Sequence, residues 1–364
     1  MAQLLLWASI ALLLLVAYLS LQIMGFLTRG DKFKVEGRTV LLTGASYGMG
    51  REIAKLLSQR GANIILVARG VEKLQSALEY AKSHAKNLGT QRFHFISADV
   101  TSETENDRLL AEATTWNDGQ TPEIVWANAG ASKPQLFIET SIATLRAQFE
   151  LNYWAAAYLS HKTLKAWLYP TIPYAKDAKT EASRHFIMTS SALGLIDVAG
   201  YTPYAPAKSA MRSLSDTLRQ EILIYNGARR SKKITAQAPA PFDVEIQLIL
   251  PGSVRSPGFE NENKTKHPVS FLIEESDPDQ SPIEAATAAL KGLDHGQYMT
   301  PTNWLVQILR FSSLAGVPRD NIIKDTLGSW LASVIWLFAG PDCENKVWNW
   351  GKKEGMQPFK PEAK

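Results

Sequence analysis

Six short apolar runs, rich in β-branched residues and separated by amphipathic stretches, recur between residues 38 and 252. They read RTVLLTGAS from Arg38, NIILVAR from Asn63, FHFISADV from Phe93, EIVWANAG from Glu123, HFIMTSSA from His185 and EIQLILPG from Glu245. Such continuous runs belong to strands buried on both faces. Between the first two, Gly50–Arg60 carries Ile53, Leu56 and Leu57 at helical spacing, and Val71–Leu88 follows as a second helix. Strands alternating with helices, joined by right-handed crossovers, give an α/β fold with a doubly wound parallel sheet. Ligands of such a sheet sit at the carboxyl ends of its strands.

The 364 residues are 45% apolar, enough for a large core. A net charge of +4 without a dense Arg/Lys run gives no reason to expect nucleic acid as a partner. The single cysteine, Cys343, excludes an internal disulfide and fits a reducing compartment. The six histidines are scattered with no pair at metal-ligand spacing, so no metal site is expected.

The amino terminus differs in kind. No charged side chain occurs from Ala2 to Thr28, and Leu4–Leu19 is almost wholly apolar. About 20 apolar residues in a helix span a bilayer core. Arg29, Lys32, Lys34 and Arg38 follow at once, which places the body of the protein on the cytosolic side. A cleaved signal peptide is the alternative, but it would have a basic segment before a shorter apolar run. Tyr169–Arg184 and Asn226–Asp243 read as surface loops. Beyond Pro251 the alternation decays. The apolar run Trp330–Gly340 is eleven residues, too few to cross a membrane, and suits either a buried helix or one seated on a lipid surface. The expected organisation is an anchor at 1–28, a catalytic domain at 38–270 and a hydrophobic, membrane-proximal extension at 271–364.

TGASYGMG, Thr43–Gly50, follows the first strand and opens the first helix. Glycines there permit a sharp turn and close approach to a pyrophosphate, which the helix amino terminus attracts. The second strand ends in Arg69, with Lys73 one helical turn further. An acidic residue in that place would bind ribose hydroxyls; a cation suits a 2′-phosphate, so NADPH is expected over NADH.

Tyr204 and Lys208, in YAPAK, stand four residues apart and share a helix face. An ammonium beside a phenol favours the phenolate and is expected to lower the Tyr204 pKa. Ser191, thirteen residues earlier, adds a hydroxyl that can hold a carbonyl. Pro206 is harmless only in a helix's first turn, so that helix is expected to begin near Pro203. Phenol, ammonium and hydroxyl together suit hydride exchange between a nicotinamide and a ketone or alcohol.

In combination and order, TGASYGMG, Asp99, Asn128-Ala129-Gly130, Asn152, Ser191, YAPAK and PGSVRS resemble the short-chain dehydrogenase/reductase family over about residues 38–260. The resemblance implies a seven-stranded Rossmann-type sheet. It implies cofactor contacts from Gly44, Ser46, Tyr47, Gly48 and Gly50 in the turn and from Asp99 and Val100 at the adenine. Asn128, Ala129 and Gly130 would line the ribose, and Val254 and Ser256 the nicotinamide amide. Ser191 would orient the carbonyl, Tyr204 transfer the proton, Lys208 hold the ribose and Asn152 hold a water linking Lys208 to solvent. Pairing through the helices that carry Asn152 and Tyr204 is common in the family, so a homodimer is open to this chain.

The flanks are similar to a membrane-bound fungal branch of that family: the apolar amino terminus, SPGFENENKTK (Ser256–Lys266) and VWNWGKKEG (Val347–Gly355). This implies reduction of the 3-keto group of a long-chain amino ketone lipid with NADPH at the cytosolic face of the endoplasmic reticulum. Phe259–Leu272 would be a lid. A membrane-bound steroid or retinoid dehydrogenase shares the same set, and a non-catalytic NADPH-binding scaffold is a third reading. A glycan at Asn263-Lys264-Thr265, the one glycosylation sequon, would count against the cytosolic placement.

Overall fold

The computed structural model describes residues 32–172, 174–175, 179–233, 237–355 and 357. The segment read as an anchor, 1–28, lies outside them. Within them, seven strands form one parallel sheet in the order β3-β2-β1-β4-β5-β6-β7. They are β1 (Thr39–Thr43), β2 (Asn63–Ala68), β3 (Phe93–Ser97), β4 (Ile124–Ala127), β5 (Arg184–Thr189), β6 (Val244–Leu250) and β7 (Met299–Pro301). Strand β1 pairs with β2 on one side and β4 on the other, Thr39 opposite Asn63 and Val40 opposite Ile124. The strand order reverses there, and a crevice opens above the carboxyl ends.

Helices α1 (Gly48–Gln59), α2 (Val71–Lys82), α3 (Glu103–Trp116), α4 (Ile142–Phe149), α5 (Ala155–Leu168) and α6 (Ala205–Ala228) connect the strands. After β6 come α7 (Pro257–Asn263), α8 (Pro268–Ile273) and α9 (Pro282–Asp294), and after β7 come α10 (Trp304–Ser312) and α11 (Ile322–Glu354). Successive strand residues point to opposite faces. Leu41, Val125 and Phe186 therefore pack with Leu109, Trp167 and Met211 of α3, α5 and α6. Val40, Trp126 and Ile187 meet Ile53, Leu57 and Leu290 of α1 and α9 on the other side. Burying each such aliphatic or Phe side chain contributes about 1.5–3 kcal/mol.

Two expectations about the carboxyl-terminal third need correction. A boundary at residue 270 cuts the sheet's own sequence, because β7 at Met299–Pro301 extends β6 with Leu248 opposite Met299. A three-residue strand carries no readable alternation. The run Trp330–Gly340 is not an isolated eleven-residue segment either. It is the middle of α11, 33 residues long and so about 50 Å. Trp330, Leu331, Val334, Leu337 and Phe338 on it are exposed, so it is not a buried core helix. Among the described residues, α11 alone is long and apolar enough to cross a membrane, with mean hydropathy 1.3 over its best 18-residue window.

The root of α11 is fixed. Arg310 of α10 donates Nη1 to Asp325 Oδ1 at 2.9 Å and Nη2 to Asp325 Oδ2 at 3.0 Å, with a further bond to Asp320 at 2.7 Å. Both charges of the Arg310–Asp325 pair are buried, and removing one partner of such a pair costs about 3–5 kcal/mol. Near the far end, Trp350 meets His267 just before α8, ring centroids 4.8 Å apart and the planes at 69°.

Candidate active site

The Gly-rich turn is built as its sequence requires. Gly44 has φ +64°, and a β-carbon there would lie 2.7 Å from Ala129 Cα, so only glycine fits between β1 and the β4 loop. Thr43 Oγ1 ties the two loops by accepting the amides of Asn128 at 3.0 Å and Ala129 at 3.1 Å. Tyr47, the N-cap of α1, makes no side-chain capping bond. The first-turn amides of α1 are thus left for an anion to satisfy. At the end of β2, Arg69 and Lys73 stand exposed on the rim of the same crevice. Asp99 lines it beyond β3, its Oδ1 accepting the amide and hydroxyl of Thr101 at 3.1 and 2.8 Å. Crowded glycines, an uncapped helix and two cations at the β2 terminus fit a phosphorylated dinucleotide.

The candidate catalytic side chains come from three elements. Tyr204 is the N-cap of α6, which starts at Ala205, so Pro206 lies in the first turn where its missing N–H costs nothing. Lys208 follows one turn later, its Nζ donating to Thr189 O at 3.0 Å and lying 5.6 Å from the Tyr204 ring centroid. Ser191, past the end of β5, caps a short 3₁₀ turn by accepting Leu193 N at 3.1 Å, and its hydroxyl eases the ionisation of the Tyr204 phenol. Asn152 sits in a π-helical turn, Glu150–Trp154, inserted between α4 and α5. That irregular turn aims its amide inward: Oδ1 accepts Ala131 N at 3.2 Å and Nδ2 donates to Ala131 O at 2.9 Å. Such bulges recur at functional sites.

One cavity of about 1080 Å³ collects these groups. Its wall includes every expected cofactor position: Gly44, Ser46, Tyr47, Gly48, Gly50, Arg69, Lys73, Asp99, Val100, Asn128, Ala129, Gly130, Val254 and Ser256. Ser191, Tyr204 and Lys208 line it as well, whereas Asn152 stands behind the wall. Ser256 also caps α7, accepting Phe259 N at 3.3 Å. The stretch Phe259–Leu272 folds as most of α7 and α8, and Phe259 and Glu262 face the cavity. Helices α10 and α11 add an apolar stretch of wall with Leu305, Leu309, Ile335 and Trp336.

The electrostatics reverse one expectation. Sequence spacing implies a lowered Tyr204 pKa, but burial raises it, the charge of Glu262 raises it further, and only the Ser191 hydrogen bond acts downward. Lys208 gives no relief because burial pushes its own pKa down to about 7. Removing either charged form from water outweighs their mutual attraction. Tyr204 therefore holds its proton at neutral pH, the form that a proton donor needs.

Sequence reasoning missed Glu262, Tyr201 and the Lys266 that joins them. Tyr201 Oη donates to Glu262 Oε1 at 2.6 Å, and Lys266 Nζ lies 3.4 Å from the same oxygen. Glu262 and Lys266 stand within SPGFENENKTK, which drew notice as a whole, but nothing in its pattern sets that acid apart. His185 is a core group: burial lowers it to about 4, and its Nδ1 lies 2.9 Å from Gln247 Oε1.

This sheet, turn and side-chain set define a dinucleotide-dependent oxidoreductase, and the chain belongs to the short-chain dehydrogenase family, whose profile matches residues 38–267. Among its relatives, the 3-ketodihydrosphingosine reductase of Aspergillus fumigatus is 46% identical over 328 residues, 90% of this chain and 88% of that protein. The 3-ketodihydrosphingosine reductase of Neurospora crassa is 38% identical over 337 residues, 92% and 88% of the two chains. A short-chain dehydrogenase from Sphingobium yanoikuyae, solved in complex with NADPH, shares the fold. Its TM-score is 0.58 at 20% identity over 77% of this chain and 92% of that one.

Proposed function

We propose that this protein uses NADPH to reduce 3-ketodihydrosphingosine to dihydrosphingosine. The observation that carries this reading is one cavity lined both by Ser191, Tyr204 and Lys208 and by apolar side chains of α10 and α11. Bound NADPH would supply hydride to the ketone carbon. Ser191 holds the ketone oxygen by a hydrogen bond, and Tyr204 delivers its proton to the alkoxide as charge develops there. An alkoxide is a far stronger base than a phenolate, so even a phenol of raised pKa protonates it. Lys208, held by Thr189 O, presents its amine to the nucleotide ribose, with Asn152 behind it. Arg69 and Lys73 take the 2′-phosphate.

A ketone with one long alkyl chain resides in lipid, held by ~0.8 kcal/mol per buried CH₂. The exposed apolar face of α11 suits a seat on that lipid, while its other face lines the cavity. Together with the apolar segment at 1–28, this supports a protein of the endoplasmic reticulum membrane with its catalytic domain in the cytosol and α7–α8 as a lid. The proposed division is an anchor at 1–28, a catalytic unit from 38 that runs through β7, and a membrane-proximal end formed by α10 and α11. The test is incubation of the membrane-embedded protein with NADPH and 3-ketodihydrosphingosine, a steroid ketone or retinal, following NADPH oxidation and product mass. Faster reduction of the steroid or retinal would overturn the substrate, and oxidation of none would favour a scaffold.

A further inference from the structure

Two carboxylates that line the cavity share one buried ammonium. Lys266 Nζ lies 2.7 Å from Glu274 Oε2 and 3.4 Å from Glu262 Oε1, and its side chain is only 1% exposed. The rings of Phe259 and Phe271 stand 4.9 and 5.2 Å from that nitrogen and shield it from water. Glu262 Oε1 also accepts the Tyr201 hydroxyl, so both contacts of this acid fall on one oxygen. Its Oε2 makes no hydrogen bond among the described residues, and Glu262 lines the cavity.

The local charges do not balance. Asp277 adds a third acid to the same wall. The nearby Lys346 of α11 is taken by Asp342 at 3.3 Å. Lys208 is not among the charges that act on Glu262, whereas Glu262 does act on the Tyr204 phenol. Burial, with the charge of Glu274 added, makes Glu262 and Asp277 harder to ionise than usual, Asp277 being pushed up to about 6. A buried anion in surplus is costly until a cation arrives.

An α-amino ketone carries such a cation two bonds from its carbonyl carbon. When Ser191 and Tyr204 hold the carbonyl oxygen, the ammonium falls within the same cavity that Glu262 lines. We infer that Glu262 binds the substrate ammonium through Oε2 and thereby selects α-amino ketones over ketones of equal length that lack the nitrogen. This inference rests on the proposed amino-ketone substrate.

The experiment uses the full-length protein in lipid with NADPH and two ketones of equal chain length, one with the 2-amino group and one with hydrogen in its place. Glu262→Gln keeps an acceptor for Tyr201 and leaves Lys266 paired with Glu274. NADPH fluorescence titration of both proteins reports a folded nucleotide site. The wild type is expected to favour the amino ketone in kcat/KM by on the order of tenfold to a hundredfold, the range of a charge-assisted hydrogen bond. Glu262→Gln is expected to lose that preference, chiefly through KM. Equal losses on both ketones would mean that Glu262 serves only to hold Tyr201 and Lys266, and would overturn the inference. A wild type that reduces both ketones equally overturns the inference alone; one that reduces neither overturns the proposed function and this inference with it.

Discussion

Lys208 Nζ and Asn152 Oδ1 converge on one point beside Gly130: a β-carbon there would lie 3.1 Å from the first and 3.0 Å from the second. Glycine leaves a gap there, between the π-turn amide and the Lys208 ammonium. Gly130→Val fills it and displaces Lys208 from Thr189 O. Since a misplacement of ~1 Å costs up to ~100-fold in rate, kcat is expected to fall by about 10- to 100-fold. The melting temperature is expected to fall as well, because Asn152 and Lys208, which the new side chain crowds, are both buried and hydrogen-bonded. Steady-state kinetics with a parallel thermal melt checks both, and an unchanged kcat would show that the convergence is idle.

Tyr204 keeps its proton at neutral pH because burial and Glu262 both raise its pKa. Tyr204→Phe retains the ring at the head of α6 and removes only the donor. General acid catalysis is worth about 10²- to 10⁴-fold, so NADPH oxidation with ketone is expected to drop by that factor. NADPH affinity, measured by fluorescence, is expected to stay within a few fold. Retained turnover would exclude Tyr204 as the proton source.

Burial pushes Lys208 from 10.5 down to about 7. Below about pH 7 both folded and unfolded chains hold this proton, and the cost of burying the charge is felt in full. Between pH 7 and 10.5 the unfolded chain still holds a proton that the folded chain has released, so stability rises with pH across that window. Above pH 10 the buried phenols of Tyr201, Tyr204 and Tyr298, all raised, act oppositely, since the unfolded chain loses those protons first. The melting temperature of the ligand-free protein, minus that of Lys208→Met, is expected to rise from pH 7 to 10. A flat difference would refute the depressed ammonium.

The parts of the site legible in the sequence are those whose chemistry is fixed by local spacing. TGASYGMG fits its turn because Gly44 has φ +64° against Ala129, and YAPAK fits because positions four apart share a helix face. The parts that were not legible depend on burial or on distant partners. The sign of the Tyr204 shift follows from desolvation, which spacing does not report. Glu262 matters because the fold brings α7 to the cavity beside Tyr201. Strand β7 is three residues ending in proline, and α11 is interrupted in sequence by Gly340-Pro341, a pair that normally ends a helix. The Arg310–Asp325 clamp and the Trp350–His267 contact hold that helix on either side of its proline.

Arg69 stands where β2 ends, exposed on the cavity rim, with its carbonyl accepting Ser97 Oγ at 2.9 Å and its guanidinium free of any salt bridge among the described residues. Arg69→Asp replaces a phosphate partner with a group that repels the 2′-phosphate and accepts ribose hydroxyls. The NADPH/NADH ratio of kcat/KM is expected to fall by on the order of 100-fold, the size of one charged hydrogen bond lost and one repulsion gained. Turnover with NADH should remain measurable. An unchanged ratio would leave Arg69 as a mere neighbour of the adenine.

Helix α11 presents two faces with different duties. Ile335, Trp336 and Ala339 line the cavity, whereas Leu331, Leu337 and Phe338 are exposed, at 60%, 69% and 73%. Exposed side chains of this size do not hold the fold together, so their use lies outside the molecule. Leu337→Ser with Phe338→Ser strips apolar surface from the outer face and leaves the cavity wall intact. If that face rests on lipid and draws the ketone from it, KM for a long-chain ketone in vesicles is expected to rise by about tenfold, the value of one to two buried methylene-rich groups. For a short, water-soluble ketone, kcat and KM are expected to hold, because nothing around Tyr204 has changed. A loss of equal size on both ketones would instead place these residues in the support of the cavity and detach α11 from the membrane.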